Sequence, residues 1–269
     1  MSSLSTLPNA LAAARHAFSV PQRTPLTPQQ AEVLATGAQT AWEGPDGPML
    51  CWSYGAGPTV ALVHGWSSRG GHLARFIAPL LDTGHRVLVF DAPAHGASGG
   101  ETSSPVHIGR ALLTVQQAHG RLDAVISHSA GSAATLWALR RGLSLRASVH
   151  LAGPSSLTPV LRRIAQDTSL PERQWPAFVA WVEEFIGEPV TSLDLARLGD
   201  DLHHPAFIAH DEADRVVPVG ASQALHAAWP GSELLITRGL GHGRLLEDTR
   251  VIARGVAFVQ RHTRQEALA

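Results

Sequence analysis

Residues 123–139 read Asp-Ala-Val-Ile-Ser-His-Ser-Ala-Gly-Ser-Ala-Ala-Thr-Leu-Trp-Ala-Leu. The run Asp123–Ile126 is typical of a strand that is buried on both faces, and Ala130–Leu139 is typical of a buried helix. Ser129 lies between them in Ser-His-Ser-Ala-Gly, where small neighbours allow a tight turn. A serine on such a strand-to-helix turn holds its Oγ clear of the sheet, which predicts a nucleophile.

Six other short apolar runs have the character of buried strands. Helix-like stretches such as 71–81 and 106–118 lie between several of them. Alternating strands and helices predict an α/β protein with a mostly parallel central sheet and helices on both faces. The runs are Met49–Tyr54, Thr59–Val63, Arg86–Phe90, Ala147–Leu151, Ala206–Ala209 and Glu233–Thr237.

One section interrupts this alternation. Residues 154–200 contain no clear strand and instead have helix-like pieces at 157–166, 175–186 and 193–198. We expect a small helical lid over the carboxyl end of the sheet, inserted into a single domain that spans residues 1–269. Its aromatic residues either face a pocket or anchor the insertion to the core; they are Trp175, Phe178, Trp181 and Phe185.

The first 44 residues are expected to form an N-terminal arm. Within it, Thr27 followed by Pro28 predicts the start of a helix, with threonine as the cap and proline at the first helical position.

The loop after Thr59–Val63 contains a candidate for oxyanion stabilisation. An oxyanion hole needs two backbone N–H groups that point at one position. The residue after the nucleophile, Ala130, supplies the first, and a loop after an earlier strand supplies the second. We predict Trp66 as the second donor, because Gly65 allows a close approach of the backbone.

Two loops near the carboxyl terminus offer an acid and a base. Residues 210–218 contain Asp211, Glu212 and Asp214, any of which could orient an imidazole. Residues 238–243 contain His242 between two glycines, which leave its side chain free to reach across a cleft. A histidine is suited to proton transfer near neutral pH.

Together these segments resemble the α/β-hydrolase superfamily, and in particular its small-lid carboxylesterases. The order of Ser129, Asp214 and His242 matches the Ser-Asp-His order of that family. Residues 91–98 resemble its D-x-P-G-H-G-x-S turn, with Ala94 in place of glycine. Residues 211–218 resemble its G-x-x-D-x-x-V-P motif, which implies Asp214 as the acid and leaves Asp211 at the glycine position as the second candidate.

The resemblance implies a serine hydrolase that cleaves small-molecule carboxylic esters through an acyl-enzyme on Ser129. It leaves open a thioesterase, a cofactor-free perhydrolase or a carbon–carbon bond hydrolase with the same residues. A non-catalytic ligand-binding member of the fold is the alternative from another class. Fold alone does not choose among these.

The composition excludes several other classes. A formal net charge of -1 gives no overall field for nucleic acid or an anionic membrane. No stretch approaches the ~18 apolar residues of a membrane span. The amino terminus has no signal-peptide pattern, so the expected location is the cytoplasm. A single cysteine, Cys51, excludes an intramolecular disulfide.

A metal or nucleotide site is not expected either. Fifteen histidines, with His203, His204 and His210 close in sequence, suggest a metal at first sight. However, neither an H-E-x-x-H motif nor a cysteine cluster is present, and the glycine-rich residues 96–100 lack a phosphate-binding pattern. We therefore expect neither a metal nor another cofactor.

Overall fold

A mostly parallel sheet forms the centre of the protein, which we describe from a computed structural model over residues 9–44, 46–194 and 202–264. Its eight strands in these ranges follow the order β1-β2-β4-β3-β5-β6-β7-β8. In the described ranges the pairings β1–β2 and β2–β4 are antiparallel, and the other five are parallel. The strands are β1 Ala38–Gly44, β2 Gly47–Tyr54, β3 Thr59–Val63, β4 Arg86–Phe90, β5 Ala124–His128, β6 Ala147–Leu151, β7 Ala206–Asp211 and β8 Glu233–Thr237.

Helices cover both faces of this sheet, which confirms the predicted fold class. Successive side chains of β5 face opposite ways, so that Val125 joins one buried apolar cluster and Ile126 joins the other. The helices are α1 Ala10–Ser19, α2 Pro28–Ala35, α3 Ile77–Asp82, α4 Pro105–His119, α5 Ala130–Leu139, α6 Thr158–Asp167, α7 Trp175–Ile186, α8 Gly220–Ala228, α9 Gly241–Arg244 and α10 Thr249–Thr263. The described part of the chain also contains the 3-10 helices Gly70–Phe76, Glu172–Gln174 and Val190–Leu193. Within the described ranges, no helix is both long and apolar enough to cross a membrane.

The arm prediction through residue 44 missed a strand. Ala38–Gly44 forms β1, an antiparallel partner of β2 at the edge of the sheet. Most of its side chains are exposed, so it lacks the apolar run that marks a buried strand. The predicted helix start is confirmed, because α2 begins at Pro28 and the Thr27 hydroxyl accepts a hydrogen bond from the Gln30 N–H.

The insertion between β6 and β7 contains α6 and α7, close to the predicted helices. The predicted helix over 193–198 lies mostly outside the described residues, and Leu193 itself ends a 3-10 helix. Phe178 is fully buried in the cluster that α4 and α5 also line. Trp181 stacks on Phe185, and both rings contact Phe18 of α1. These aromatic residues therefore anchor the insertion to the core and to the arm.

Candidate active site

The turn between β5 and α5 holds Ser129 in a strained backbone conformation. Its φ is 54° and its ψ is -123°, a region that few residues other than glycine adopt. A hydrogen bond from the Ser129 N–H to the Leu151 carbonyl, 2.9 Å, ties the turn to the end of β6. Two residues after Ser129, a Cβ at Gly131 would lie 2.5 Å from the carbonyl oxygens of Val63 and His64. The close packing of α5 on β3 thus requires glycine at position 131.

The α/β-hydrolase superfamily usually has the pattern G-x-S-x-G around its nucleophile, and Ser127 occupies the position of the first glycine here. Its side chain is buried, and its hydroxyl donates to the Val149 carbonyl at 3.0 Å. Because serine is small and this hydrogen bond satisfies its polar group, the substitution is compatible with the tight turn.

Three side chains from separate loops form one hydrogen-bonded chain. His242 Nε2 lies 2.9 Å from Ser129 Oγ, and His242 Nδ1 lies 2.7 Å from Asp214 Oδ2. The other Asp214 oxygen accepts the N–H groups of Val216 and Val217 at 2.7 and 3.0 Å. Asp214 can therefore hold His242 in the tautomer whose Nε2 accepts the serine proton.

Asp211, the second acid candidate, has a different environment. Its buried carboxylate accepts hydrogen bonds from the Ala213, Leu240 and Gly241 N–H groups and from the Thr237 hydroxyl, at 2.8–3.0 Å. The bond from Ala213 closes the turn of its own loop, and the three from Thr237, Leu240 and Gly241 fasten this loop to the segment that precedes His242. Asp211 thus supports the histidine loop, and Asp214 is the carboxylate that contacts the imidazole.

Hydrogen bonds keep both carboxylates ionised. Burial alone would raise the pKa of Asp214, but hydrogen bonds from His210, His242 and the Val217 N–H hold it below its usual range. Burial would likewise raise the pKa of Asp211, but its donors, led by the Gly241 and Leu240 N–H groups, lower it to about 2. Both groups are therefore negative at neutral pH.

His210 contacts Asp214, an interaction that the sequence did not predict. This buried residue on β7 places Nε2 2.9 Å from the Val217 carbonyl and 3.2 Å from Asp214 Oδ2. Since a carbonyl can only accept, Nε2 carries the proton, and Nδ1 accepts from the Ser222 hydroxyl at 2.7 Å. His210 therefore donates to the same carboxylate oxygen that His242 contacts.

His128 contacts His242, a second interaction that the sequence did not predict. Its ring centroid lies 4.7 Å from that of His242, and its Nε2 donates to the His242 carbonyl at 3.1 Å. Nδ1 is buried and has no hydrogen-bond partner among the residues that the structure describes, and burial lowers the pKa of His128 to about 3. The residue beside the nucleophile is thus a neutral support for the general-base candidate. A histidine in an otherwise small-residue turn was the one sequence signal for it.

Of the two predicted oxyanion donors, Trp66 lies on the loop after β3 and Ala130 directly follows the nucleophile. Ala130 is the first residue of α5, where N–H groups have no acceptor within the helix. Among the described residues, no acceptor contacts the N–H of Ala130 or Trp66. Gly65 packs closely on the turn between β5 and α5, since a Cβ at position 65 would lie 2.8 Å from the Ser129 Cβ. This contact is a physical reason for glycine beside Trp66.

Two buried histidines support the loop of Trp66. His64 Nε2 accepts the Ala92 N–H at 2.9 Å, and His64 Nδ1 donates to the Gly65 carbonyl at 2.8 Å. Burial lowers the pKa of His64 to about 4, which keeps the ring neutral and able to accept. His95 lies against both rings, with centroids 5.0 Å from His64 and 5.2 Å from Trp66.

Two of the three histidines considered as metal ligands, His204 and His210, have other hydrogen-bond partners. His204 Nε2 lies 2.9 Å from the Ser148 hydroxyl, and His210 contacts Ser222, Val217 and Asp214. Within residues 9–44, 46–194 and 202–264, no group of three or more His, Cys, Asp or Glu residues could hold a metal ion.

Comparison with known proteins agrees with this architecture. A sequence model of the alpha/beta hydrolase family matches residues 60–254. An esterase from Pyrococcus furiosus superposes with a TM-score of 0.66 at 21% identity, over 91% of this chain and 97% of its own. A bromoperoxidase from Bacillus anthracis superposes with a TM-score of 0.67 at 16% identity, over 83% of this chain and 100% of its own. An esterase from Exiguobacterium antarcticum superposes with a TM-score of 0.63 at 17% identity, over 83% of this chain and 100% of its own. At these identities the likeness concerns the fold. Curated proteins give no significant match.

Proposed function

Because the chain belongs to the α/β-hydrolase family, we propose that it hydrolyses carboxylic esters of small molecules through an acyl-enzyme on Ser129. The observation that carries this proposal is the hydrogen-bonded chain from Ser129 through His242 to Asp214. A nucleophile, a base and an orienting carboxylate in this order are the arrangement that acyl transfer requires.

The proposed reaction proceeds in two halves. His242 Nε2 takes the Ser129 proton while Oγ attacks the ester carbonyl, and the N–H groups of Trp66 and Ala130 stabilise the resulting oxyanion. The intermediate collapses, and His242 gives its proton to the departing alcohol. Water then attacks the acyl-enzyme by the same route, releases the acid and restores Ser129. Throughout, Asp214 holds the Nδ1 proton and stabilises the imidazolium.

Neutral surroundings favour this chemistry. His128 precedes the nucleophile, and His64 and His95 support the loop of Trp66; burial lowers the pKa of each well below neutrality. At pH 7 these rings add no positive charge beside the imidazolium that forms during attack. The insertion between β6 and β7 is proposed to shape the substrate pocket, as a lid would.

The test is hydrolysis of p-nitrophenyl acetate, butyrate and octanoate by the purified protein and by Ser129→Ala. We expect turnover by the native protein and a loss of at least ~10³-fold in the variant, with the chain-length trend reporting the size of the acyl pocket. Equal activity of the two proteins would overturn Ser129 as nucleophile. No activity above buffer would overturn ester hydrolysis, and thioesters, peracid formation and carbon–carbon cleavage would then be assayed.

A further inference from the structure

The segment between α1 and α2 crosses the loop that follows Trp66. The Gln22 N–H donates to the Ser67 hydroxyl at 3.0 Å, and the Thr24 hydroxyl donates to the Ser67 carbonyl at 2.6 Å. Both partners belong to the residue directly after the predicted oxyanion donor. Ser67 also has a φ of 51°, a left-handed conformation that costs energy in a residue with a Cβ.

Arg23, between these two residues, binds a second loop, the one whose His95 ring contacts Trp66. Its guanidinium donates to the carbonyls of Gly96, Ser98 and Gly100 at 2.7, 2.8 and 2.9 Å. These carbonyls belong to the loop that bears His95, whose ring contacts the Trp66 ring. Residues 22–24, named here the clasp, therefore bind the loop that carries Trp66 and the loop that packs against it.

The arm is anchored on both sides of the clasp. Toward the amino terminus, Phe18 is buried against Trp181 and Phe185 of α7. Toward the carboxyl terminus, Leu26 packs directly on Gly71, where an added Cβ would lie 2.3 Å from a Leu26 methyl. Because both ends of the clasp are anchored, its hydrogen bonds restrict the motion of the two loops that they contact.

We propose that the clasp is a positioning element for the oxyanion hole, with Thr24 and Arg23 setting the direction of the Trp66 N–H. This proposal rests on the proposed function. A donor helps only when it points at the position that the oxyanion will occupy, since this preorganisation is the source of its effect. The strained turn at Ser67 needs surrounding contacts to persist, and the clasp supplies two of them. The family match begins at residue 60, so this element lies outside it.

The test replaces the Thr24 hydroxyl and leaves the fold intact. Thr24→Val is nearly isosteric but cannot donate to Ser67, whereas Thr24→Ser keeps the donor. Thr36→Val is the matched control, because Thr36 also donates to a carbonyl of the arm, that of Val33 at 2.8 Å, without touching the loop of Trp66. For each protein we would measure kcat and KM on p-nitrophenyl butyrate, the rate of Ser129 labelling by a fluorophosphonate, and Tm.

Thr24→Val is expected to lower kcat and the labelling rate about 10-fold with KM changed less than about twofold, since a misdirected donor costs less than the ~10²–10³ of a missing one. Thr24→Ser and Thr36→Val should match the native protein in kcat. Arg23→Lys should lose kcat in the same direction, because one ammonium cannot bond three carbonyls in the geometry of the guanidinium.

The other outcomes overturn the inference in distinguishable ways. A native rate in Thr24→Val, or an equal loss in Thr36→Val, would overturn the clasp while ester hydrolysis by the native protein stands. If the native protein neither turns over ester nor is labelled at Ser129, the proposed function fails and the inference fails with it.

Discussion

His210 Nε2 lies 3.2 Å from Asp214 Oδ2, the oxygen that His242 Nδ1 contacts at 2.7 Å. One carboxylate oxygen therefore contacts two imidazoles. Of these two, His242 is the one that contacts Ser129. The N–H of the buried His210 fixes the orientation of the carboxylate, and the carboxylate in turn fixes His242.

Two substitutions of His210 separate this role from simple packing. A glutamine amide can present an N–H near the place of Nε2, whereas an asparagine amide reaches only the place of Nδ1. We expect His210→Asn to lower kcat about 10-fold and His210→Gln less than about threefold, because a hydrogen bond to a charged group is worth roughly 1.5–3 kcal/mol. Steady-state kinetics on p-nitrophenyl butyrate provide the measurement. Equal losses in the two variants would contradict the role.

The two acid candidates differ in what their removal should do. Asp214→Asn is expected to lower kcat by ~10³–10⁴, since the amide favours the wrong tautomer of His242. Asp211→Asn keeps the contact between Asp214 and His242 but weakens the loop contacts, so we expect a loss of roughly 1–3 kcal/mol of stability and a smaller loss of kcat. Kinetics and urea unfolding of both variants test this. A larger kcat loss in Asp211→Asn would reverse the assignment.

The Asp211 contribution to stability should also depend on pH. Its pKa is about 2 in the folded protein, below the ordinary value of 3.8. A carboxylate with a lowered pKa stabilises the fold above its unfolded pKa, and the stabilisation is lost as the pH falls through the folded pKa. The difference in unfolding free energy between the native protein and Asp211→Asn should therefore narrow between about pH 4 and pH 2. A constant difference would contradict this linkage.

Buried histidines should make the protein sensitive to acid. Burial lowers the pKa of His64 to about 4 and that of His95, His128 and His150 to about 3. Each ring stays neutral when folded but takes up a proton on unfolding below about pH 6.5. The unfolding free energy should therefore fall as pH falls from about 6.5, by roughly 1 kcal/mol per pH unit for each ring.

A substitution of one of these histidines measures its contribution to the pH dependence of the unfolding free energy. His150 hydrogen-bonds to the Ser132 and Ser148 hydroxyls at 2.7 and 3.0 Å. His150→Gln keeps a polar group there but cannot take up a proton, so its unfolding free energy should change less steeply between about pH 4 and pH 6, by about one proton. Urea titrations across that range measure the slope. An unchanged slope would show that His150 does not titrate on unfolding.

Gly131 should not tolerate even a methyl group. An alanine Cβ would lie 2.5 Å from the carbonyl oxygens of Val63, the last residue of β3, and of His64, which follows it, so α5 and Ser129 would have to shift. We expect Gly131→Ala to lower Tm by several degrees and kcat more than ~10-fold, as for a 1 Å misplacement of reacting groups. Gly220→Ala is the matched control, because a Cβ at Gly220 meets no atom within 4 Å. A similar effect of both variants would contradict the steric reason.

Features that repeat along the sequence were the ones that could be predicted. Strands such as Thr59–Val63 and Ala147–Leu151 match their predicted bounds because both faces are buried and the apolar run is continuous. By contrast, β1 is exposed at the edge and has no such run. The prediction that Asp211 takes the glycine position of the family motif did not reveal its four hydrogen bonds, because its donors lie up to 30 residues away.

The same limit explains the contacts that were missed around the candidate site. The interactions of His210 with Asp214 and of Thr24 with Ser67 join groups whose proximity depends on loop conformations and not on periodicity. Their residue types suit such contacts, but the sequence offers many other histidines and threonines of equal promise. Only the folded arrangement distinguishes them.

The antiparallel β1–β2 pair has a consequence for fragment design. β2 bonds to β4 from Cys51–Phe90 to Tyr54–Val87, so it covers what would otherwise be the rim of the sheet. A recombinant fragment that starts at residue 60, where the family match begins, would keep the pairing of β4 with β3 but leave the β2 side of the apolar Val87–Phe90 backbone unpaired. Unpaired strand rims recruit other chains, so such a fragment would be prone to precipitate or to form β-linked aggregates. A fragment that retains Ala38–Tyr54 keeps this edge of β4 paired with β2.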